Sequence, residues 1–285
     1  MKQLVVNADD LAMTHGINRA IMQTHRAGVV KSTSLIANGA AFDDAVSMLR
    51  HSPGLSTGLH VNLTQGRPLA SAGSSLVDGR GFFHRPAALA LRLSLGAVSM
   101  RALEDEITAQ AQRVLDAGIS ITHFDSHHNV HLHPMAAAAL TNVARRMKIR
   151  WIRFRSQRPV LPDVEQGPCW AHVDARARHL LAILGSQLCA RRNDRSGPSR
   201  WIIGTPQLRH YSPRDLFAAI VRSCRDGLTE WVCHPGYADE ELCAMLSAQA
   251  AQLREAELKL LADPDTRISL QRAGIELVSY AGFGS

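Results

Sequence analysis

Five stretches of the chain carry side chains able to move a proton or hold a metal ion. Asp9 and Asp10 are adjacent carboxylates at the end of an apolar run, and His60 sits in Gly58-Leu59-His60-Val61-Asn62. His123, Asp125, His127, His128, His131 and His133 crowd into one segment. Arg153 alternates with Trp151 and Arg155, and His234 precedes Pro235-Gly236. Carboxylates and neutral imidazoles are ligands for Zn²⁺ and related divalent ions, and three protein ligands leave a position open for water. The same groups act as general base and general acid near neutral pH.

Each stretch alone admits a plainer reading. Adjacent acids after a strand commonly cap the next helix. A lone histidine is more often a hydrogen-bonded core residue, a histidine tract a surface feature, and an arginine-rich stretch a solvated strand end. His234 reads equally well as a turn residue. The aspartate pair gains weight because it leaves an apolar strand directly. Neighbouring side chains diverge there, so one carboxylate can hold a cation and stay ionised while the other faces substrate. The histidine segment gains weight from Pro134, which suits a helix start. His127 and His131 meet only if the stretch between them is helical.

Eight runs read as strands: Leu4–Ala8, Ser32–Ala37, Ser56–Leu63, Ile119–Asp125, Trp151–Phe154, Trp201–Gly204, Thr229–Cys233 and Ile275–Ser279. Helical faces lie between them. Ile17, Ile21 and Thr24 form one before Gly28; Leu103, Ile107, Ala111 and Val114 form another before Gly118; Leu216, Ile220 and Ser223 form a third, capped near Ser212-Pro213. This alternation implies a parallel sheet. About eight strands in 285 residues fit an α/β fold closed as a TIM-like (β/α) barrel of seven to eight parallel strands better than a short open sheet, with a doubly wound sheet as the runner-up. In a barrel the C-terminal strand ends converge on one face. Asp9, Asp10, His60, the Asp125–His131 segment, Arg153 and His234 all lie at or just past such ends, and Arg153 can point into the mouth. The chain reads as a single domain over 1–285, with an insertion around 66–99 (Gly66–Ser99) as a lid or substrate loop and a polar connector at Arg191–Arg200.

Composition removes other classes. With 46% hydrophobic and 20% charged residues the chain is not disordered. Its nearest approach to a membrane span, Ala87 to Val98, is short and contains Arg92. The N-terminal apolar stretch is too short for a signal peptide, and five cysteines without CxxC spacing suggest reduced thiols. A cytoplasmic location is therefore expected. The net charge of +7 invites nucleic acid, an anionic membrane or an acidic substrate. No aromatic-interleaved basic platform supports nucleic acid, which is not an expected partner. Arg145–Arg158 holds seven basic residues and no acid, equal to the whole surplus. That segment is expected to help dock the protein peripherally at the inner membrane surface. A homodimer is left open.

Five blocks, taken in order, resemble the YdjC-like carbohydrate deacetylases: Val6-Asn7-Ala8-Asp9-Asp10, Ser32-Thr33-Ser34, Gly58–Thr64, Thr122–His131 and Cys233-His234-Pro235-Gly236. The match runs to about Tyr237; the combination is specific although no single block is. The resemblance implies a distorted β/α barrel, one divalent metal ion (Zn²⁺ or Mg²⁺) and hydrolysis of the N-acetyl group of an amino sugar. Carried over by motif, Asp10, His60 and His127 correspond to the metal ligands and Asp9 to the base. His234 is the leading general acid, and His131 supports the site or contacts substrate, as Arg153 is expected to do. The chain is most similar to the hopanoid-associated HpnK branch, which implies an N-acetylglucosaminyl hopanoid, a glycolipid, as substrate; a chitooligosaccharide is the alternative. Gly66–Ser99 and Asp163–Arg200 depart from the family's pattern. Two other readings keep the same residues: another metal hydrolase such as a phosphodiesterase, told apart by its product, and a non-catalytic sugar- or lipid-binding protein, told apart by binding without turnover.

Overall fold

Strand β1 (Lys2–Leu11) is the axis of the sheet. Around it stand β2 (Ser32–Leu35), β3 (Ser56–Val61), β4 (His123–Ser126), β5 (Trp151–Ile152), β6 (Arg158–Pro159), β7 (Trp201–Gly204), β8 (Gly227–Cys233) and β9 (Ile275–Val278). The computed structural model describes residues 1–70, 75–153, 158–159, 201–204 and 213–282. The Arg191–Arg200 connector and Arg155 lie outside them. The strand order is β5-β4-β3-β2-β1-β8-β7-β6, with β9 beside the first half of β1, and the pairings are parallel. Among the described residues no pairing joins β5 to β6. The fold is an α/β, TIM-like barrel distorted by this open seam.

One strand is added to the eight read from the sequence, and one strand boundary is corrected. The sheet has nine strands among the described residues, because the two-residue β6 carries no readable pattern. β1 does not stop at Ala8 but runs on to Leu11, so Asp9 and Asp10 lie inside the strand rather than after it.

The helices follow the expected faces. In α1 (His15–Arg26) the Thr14 hydroxyl caps the helix by accepting the Ile17 N–H, and Ile17, Ala20, Ile21 and Thr24 are buried. In α4 (Met100–Asp116) Ser99 accepts from Ala102 N–H, and Leu103, Ile107, Ala111 and Val114 are buried. That helix ends before Gly118, whose φ of +81° suits a residue without a Cβ. The remaining helices are α2 (Phe42–Arg50), α3 (Pro86–Ser94), α5 (Pro134–Arg146), α6 (Pro213–Ser223), α7 (Glu240–Met245), α8 (Ala248–Ala262) and α9 (Pro264–Arg272). The segment read as an insertion carries α3 and an isolated bridge between Val77 and Phe83.

Strand alternation sorts the interior. Leu4, Val6 and Ala8 of β1 enter the main apolar core, whereas Val5 packs with Leu228 and Tyr280 on the opposite face. Along that inner face the next β1 positions are Asn7 and Asp9. The barrel thus has an apolar, aromatic floor of Val5, Leu228, Trp151 and Tyr280. His123 covers it, stacked on Tyr280 with ring centroids 3.9 Å apart. Its ring fills the space above Gly58, where an added Cβ would meet the imidazole at 2.4 Å, so this strand position accepts only glycine. Above this floor the inner face turns charged.

Candidate active site

The site starts from an irregularity in β1. Its register with β2 shifts between Ala8 and Leu11, and Asp10 has φ +68°, in the left-handed region that non-glycine residues rarely adopt. A bulge re-aims the side chains that follow it. Asp9 and Asp10 thereby reach different partners instead of opposite faces of the sheet.

Asp10 faces the histidines. Its Oδ1 lies 3.2 Å from His60 Nε2 and 2.8 Å from His127 Nδ1, while Arg254 Nη2 donates to its Oδ2 at 2.5 Å. Burial alone would raise this carboxyl, but Arg254, His127 and His60 hold it well below the usual range. His60 on β3 stands opposite Asp125 on β4, and its Nδ1 lies 2.8 Å from Asp125 Oδ1. Burial lowers this imidazole, yet the Asp125 charge and the bonds to Asp10 and Asp125 outweigh it and raise its pKa to about 10.

Asp9 faces the arginine. Arg153 Nη1 and Nη2 donate to its two oxygens at 2.7 and 2.9 Å, a bidentate fork, and Asn7 Nδ2 donates to Oδ1 at 2.8 Å. Arg153 also reaches Glu230 through Nε at 2.7 Å and Asp125 through Nη1 at 2.7 Å. Burial pushes the Asp9 carboxyl up, and Arg153 with His60 brings it below the ordinary value. Burial raises Glu230 despite Arg153. Arg153 is 3% exposed with its guanidinium engaged by three carboxylates. It lines the cavity and holds both oxygens of Asp9 in its fork.

The His127–Leu132 turn is 3₁₀ rather than α-helical, with His128 and Asn129 both at φ +54°. His127 and His131 do not meet by the expected i, i+4 route, yet both line the cavity. His127 Nε2 lies 3.1 Å from Gln65 Oε1. His131 is buried; Ser126 Oγ accepts its backbone N–H at 3.0 Å and lies 2.6 Å from its Nδ1. The Ser126 hydroxyl thus holds the imidazole ring through Nδ1.

His234 lies just past β8, half-buried, with its backbone N–H donated to Glu257 of α8 at 2.5 Å. Burial and the Arg254 cation lower its pKa to about 4. A resting protonated His234, the form expected of a general acid, is therefore not the state at neutral pH. His128 is likewise lowered to about 4, by burial and by His127.

These side chains wall a cavity of about 460 Å³. Asp9, Asp10, His60, His127, His131, Arg153, His234 and Arg254 all line it. Strand order brings together every candidate site residue read from the sequence. Sequence reading missed Arg254, Glu257, Glu230 and Gln65. Glu230 had a signal, an acid in the middle of an apolar strand. Arg254 had none, being one charged residue among several on α8.

A divalent ion fits one place here. One ligand atom each from Asp10, His60 and His127 lies within 4.8 Å of the others, all three residues buried. Asp125 and Gln65 stand on the remaining nitrogens, as supporting partners do for metal-bound imidazoles. A second cluster, Asp9, His60 and Asp125, is equally close, but Arg153 already neutralises its carboxylates. The connected set of Asp9, Asp10, Asp125, Glu230, Arg153 and Arg254, when ionised, has four carboxylates and two guanidiniums. The imbalance equals the charge of a divalent cation.

A distorted TIM-like barrel with a buried Asp/His cluster compatible with a metal defines the class. The family model described as YdjC-like protein matches residues 3–272, and the chain belongs to this family. A carbohydrate deacetylase of Brevibacillus brevis is 30% identical over 287 residues, covering 99% of this chain and 100% of that protein. One from Geobacillus stearothermophilus is 30% identical over 281 residues, covering 98% of this chain and 97% of its own length. Among solved structures, a candidate cellobiose-phosphate cleavage protein from Enterococcus faecalis V583 shares the fold, with TM-score 0.75, 22% identity and coverage of 100% of this chain and 99% of that one.

Proposed function

We propose that this protein is a metal-dependent carbohydrate N-deacetylase, hydrolysing the acetamide of an N-acetylglucosamine-type sugar. It belongs on this reading to the hopanoid-associated HpnK branch, with a hopanoid glycolipid as the leading substrate and a chitooligosaccharide as the alternative. The observation that supports it best is the divergence at the β1 bulge: Asp9 in the Arg153 fork, Asp10 against His60 and His127.

Asp10, His60 and His127 would hold the ion, and two imidazoles with one carboxylate favour a Zn²⁺-like ion over Mg²⁺. When bound, a divalent ion supplies Lewis-acid polarisation of the acetyl carbonyl and lowers the pKa of a water molecule. Asp9 takes a proton from the attacking water. Arg153 keeps that carboxylate ionised between turnovers and fixes its direction. The departing amine needs a proton, and two histidines on the cavity wall can carry it. His131, its ring held through Nδ1 by Ser126, is one of them. His234, the leading candidate from sequence, becomes competent only if bound substrate raises its pKa. No serine or cysteine nucleophile is required.

The test is acetate release from chitooligosaccharides, a hopanoid glycoside and N-acetylglucosamine, each with and without chelator. Acetate is expected from the preferred sugar and is lost on chelation. No acetate from any of them with metal supplied overturns the reading. His131→Gln and His234→Gln then separate the two acid assignments, since the true donor loses its alkaline limb in the pH–rate profile.

A further inference from the structure

Four of the large apolar side chains exposed to solvent lie on the cavity wall or in the segment that contributes Arg85 and Pro86 to it. Phe82, Leu91, Leu95 and Met245 are 41%, 59%, 73% and 41% exposed, and they sit in the 66–99 segment or on the cavity wall itself. The other strongly exposed ones, Met1, Leu115 and Ile268, are scattered. Helix α3 begins at the mouth, where Arg85 and Pro86 line the cavity. Near its other end Ser94 Oγ lies 3.3 Å from His133 Nε2, beside the His127–Leu132 turn. Leu89 and Leu93 anchor α3 inward, while Ala87, Ala88, Ala90 and Leu91 are exposed. A surface helix normally turns charge outward; this one is apolar on both sides.

The segment that carries this helix is cationic. Residues 66–101 contain Arg67, Arg80, Arg85, Arg92 and Arg101 and one acid, Asp78. Arg80 pairs with Asp78 and Arg101 with Asp105. Arg67 lies over the Phe82 ring at 4.2 Å and, like Arg85 and Arg92, has no carboxylate partner among the described residues. The sequence expectation put membrane charge in Arg145–Arg158, but there Arg153 is buried among acids and Arg146 is paired with Glu104 at 2.7 Å. An apolar helix face in a segment whose Arg67, Arg85 and Arg92 lack carboxylate partners among the described residues is the chemistry of an anionic lipid surface. A second copy of the chain would set the same arginines against each other.

We propose that the α3 segment docks the cavity mouth on an anionic bilayer, with α3 in the headgroup plane and Leu91 and Leu95 below it. No described helix is long and apolar enough to cross a membrane, so the contact is interfacial. The proposal rests on the deacetylase reading only in taking this cavity as the active site; docking is measured without turnover.

The full chain is sedimented with vesicles of phosphatidylcholine alone and of phosphatidylcholine mixed with phosphatidylglycerol. Binding is expected to the mixed vesicles, weaker by about tenfold without the acidic lipid and reversed by salt. The Leu91→Glu/Leu95→Glu double variant should lose at least about tenfold in binding while keeping its circular dichroism and melting temperature. Absent vesicle binding, or binding indifferent to the double variant, overturns the proposal. So does a solution dimer that the double variant dissociates, because α3 then meets a second copy. Vesicle binding without acetate from any sugar sinks the deacetylase reading alone; acetate without vesicle binding sinks this one alone.

Discussion

One flank of the cavity is built from β1, β3, β4 and the His127–Leu132 turn, the other from β8, α7 and α8. The first supplies Asp9, Asp10, His60, Asp125 and His127, the groups read as doing the chemistry. The second supplies Arg254, which donates to Asp10, Glu230, which holds Arg153, and Glu257, which accepts the backbone N–H of His234. The flanks meet through two arginines: Arg153 ties Asp9 to Glu230, and Arg254 ties Asp10 to α8. The difference teaches that the reacting groups come from short local motifs, while the direction in which they point depends on residues far along the chain.

Breaking the first flank should have the largest effects. His60→Ala or His127→Ala is expected to lower metal affinity by more than ~100-fold, beyond what a supporting residue costs, and to abolish turnover; isothermal titration and acetate assay check it. Asp9→Asn is expected to lower kcat by ~10³-fold or more while metal affinity changes little. A near-normal rate in this variant would remove Asp9 as the base.

The second flank should give smaller and different signatures. Glu230→Gln removes one charge from Arg153, and kcat is expected to fall by ~10–100-fold with KM nearly constant and the acidic limb of the pH profile displaced. Arg254→Gln frees one Asp10 oxygen and is expected to change metal affinity by about tenfold, read by titration rather than by rate. If either variant matched His60→Ala in losing the metal, the division between flanks would fail.

The smallest expected effect is on stability. His60 is raised from 6.5 to about 10 in the metal-free protein. A raised pKa stabilises the fold fully below 6.5 and loses that contribution as pH climbs through 10. Thermal melts of chelated protein should therefore fall between these values. Metal-loaded protein should lack this slope, because the ion replaces the proton on His60.

Much of the first flank was legible. Asp9-Asp10, His60 and the His123–His133 segment are unusual polar residues next to apolar runs, and that contrast survives without coordinates. The strand-helix alternation was legible for the same reason, since periods of two and near four are local properties. The bulge was not: Asp10 and Ala12 take positive φ because tertiary partners hold them there, against their intrinsic preference. The acids around Arg153 were not legible, because a lone arginine on a strand says nothing about which carboxylates surround it.

Composition, the parallel-barrel pattern and the set of unusual polar side chains that became site candidates are thus properties of the sequence by itself, because each rests on residue type or short-range spacing. Which carboxylate meets the arginine and which meets the histidines, the neutral state of His234, and the apolar face that α3 turns outward were decided only by the tertiary structure. Those depend on burial and on charges brought within a few ångströms across the whole length of the chain, and neither quantity is written in any local stretch of residues.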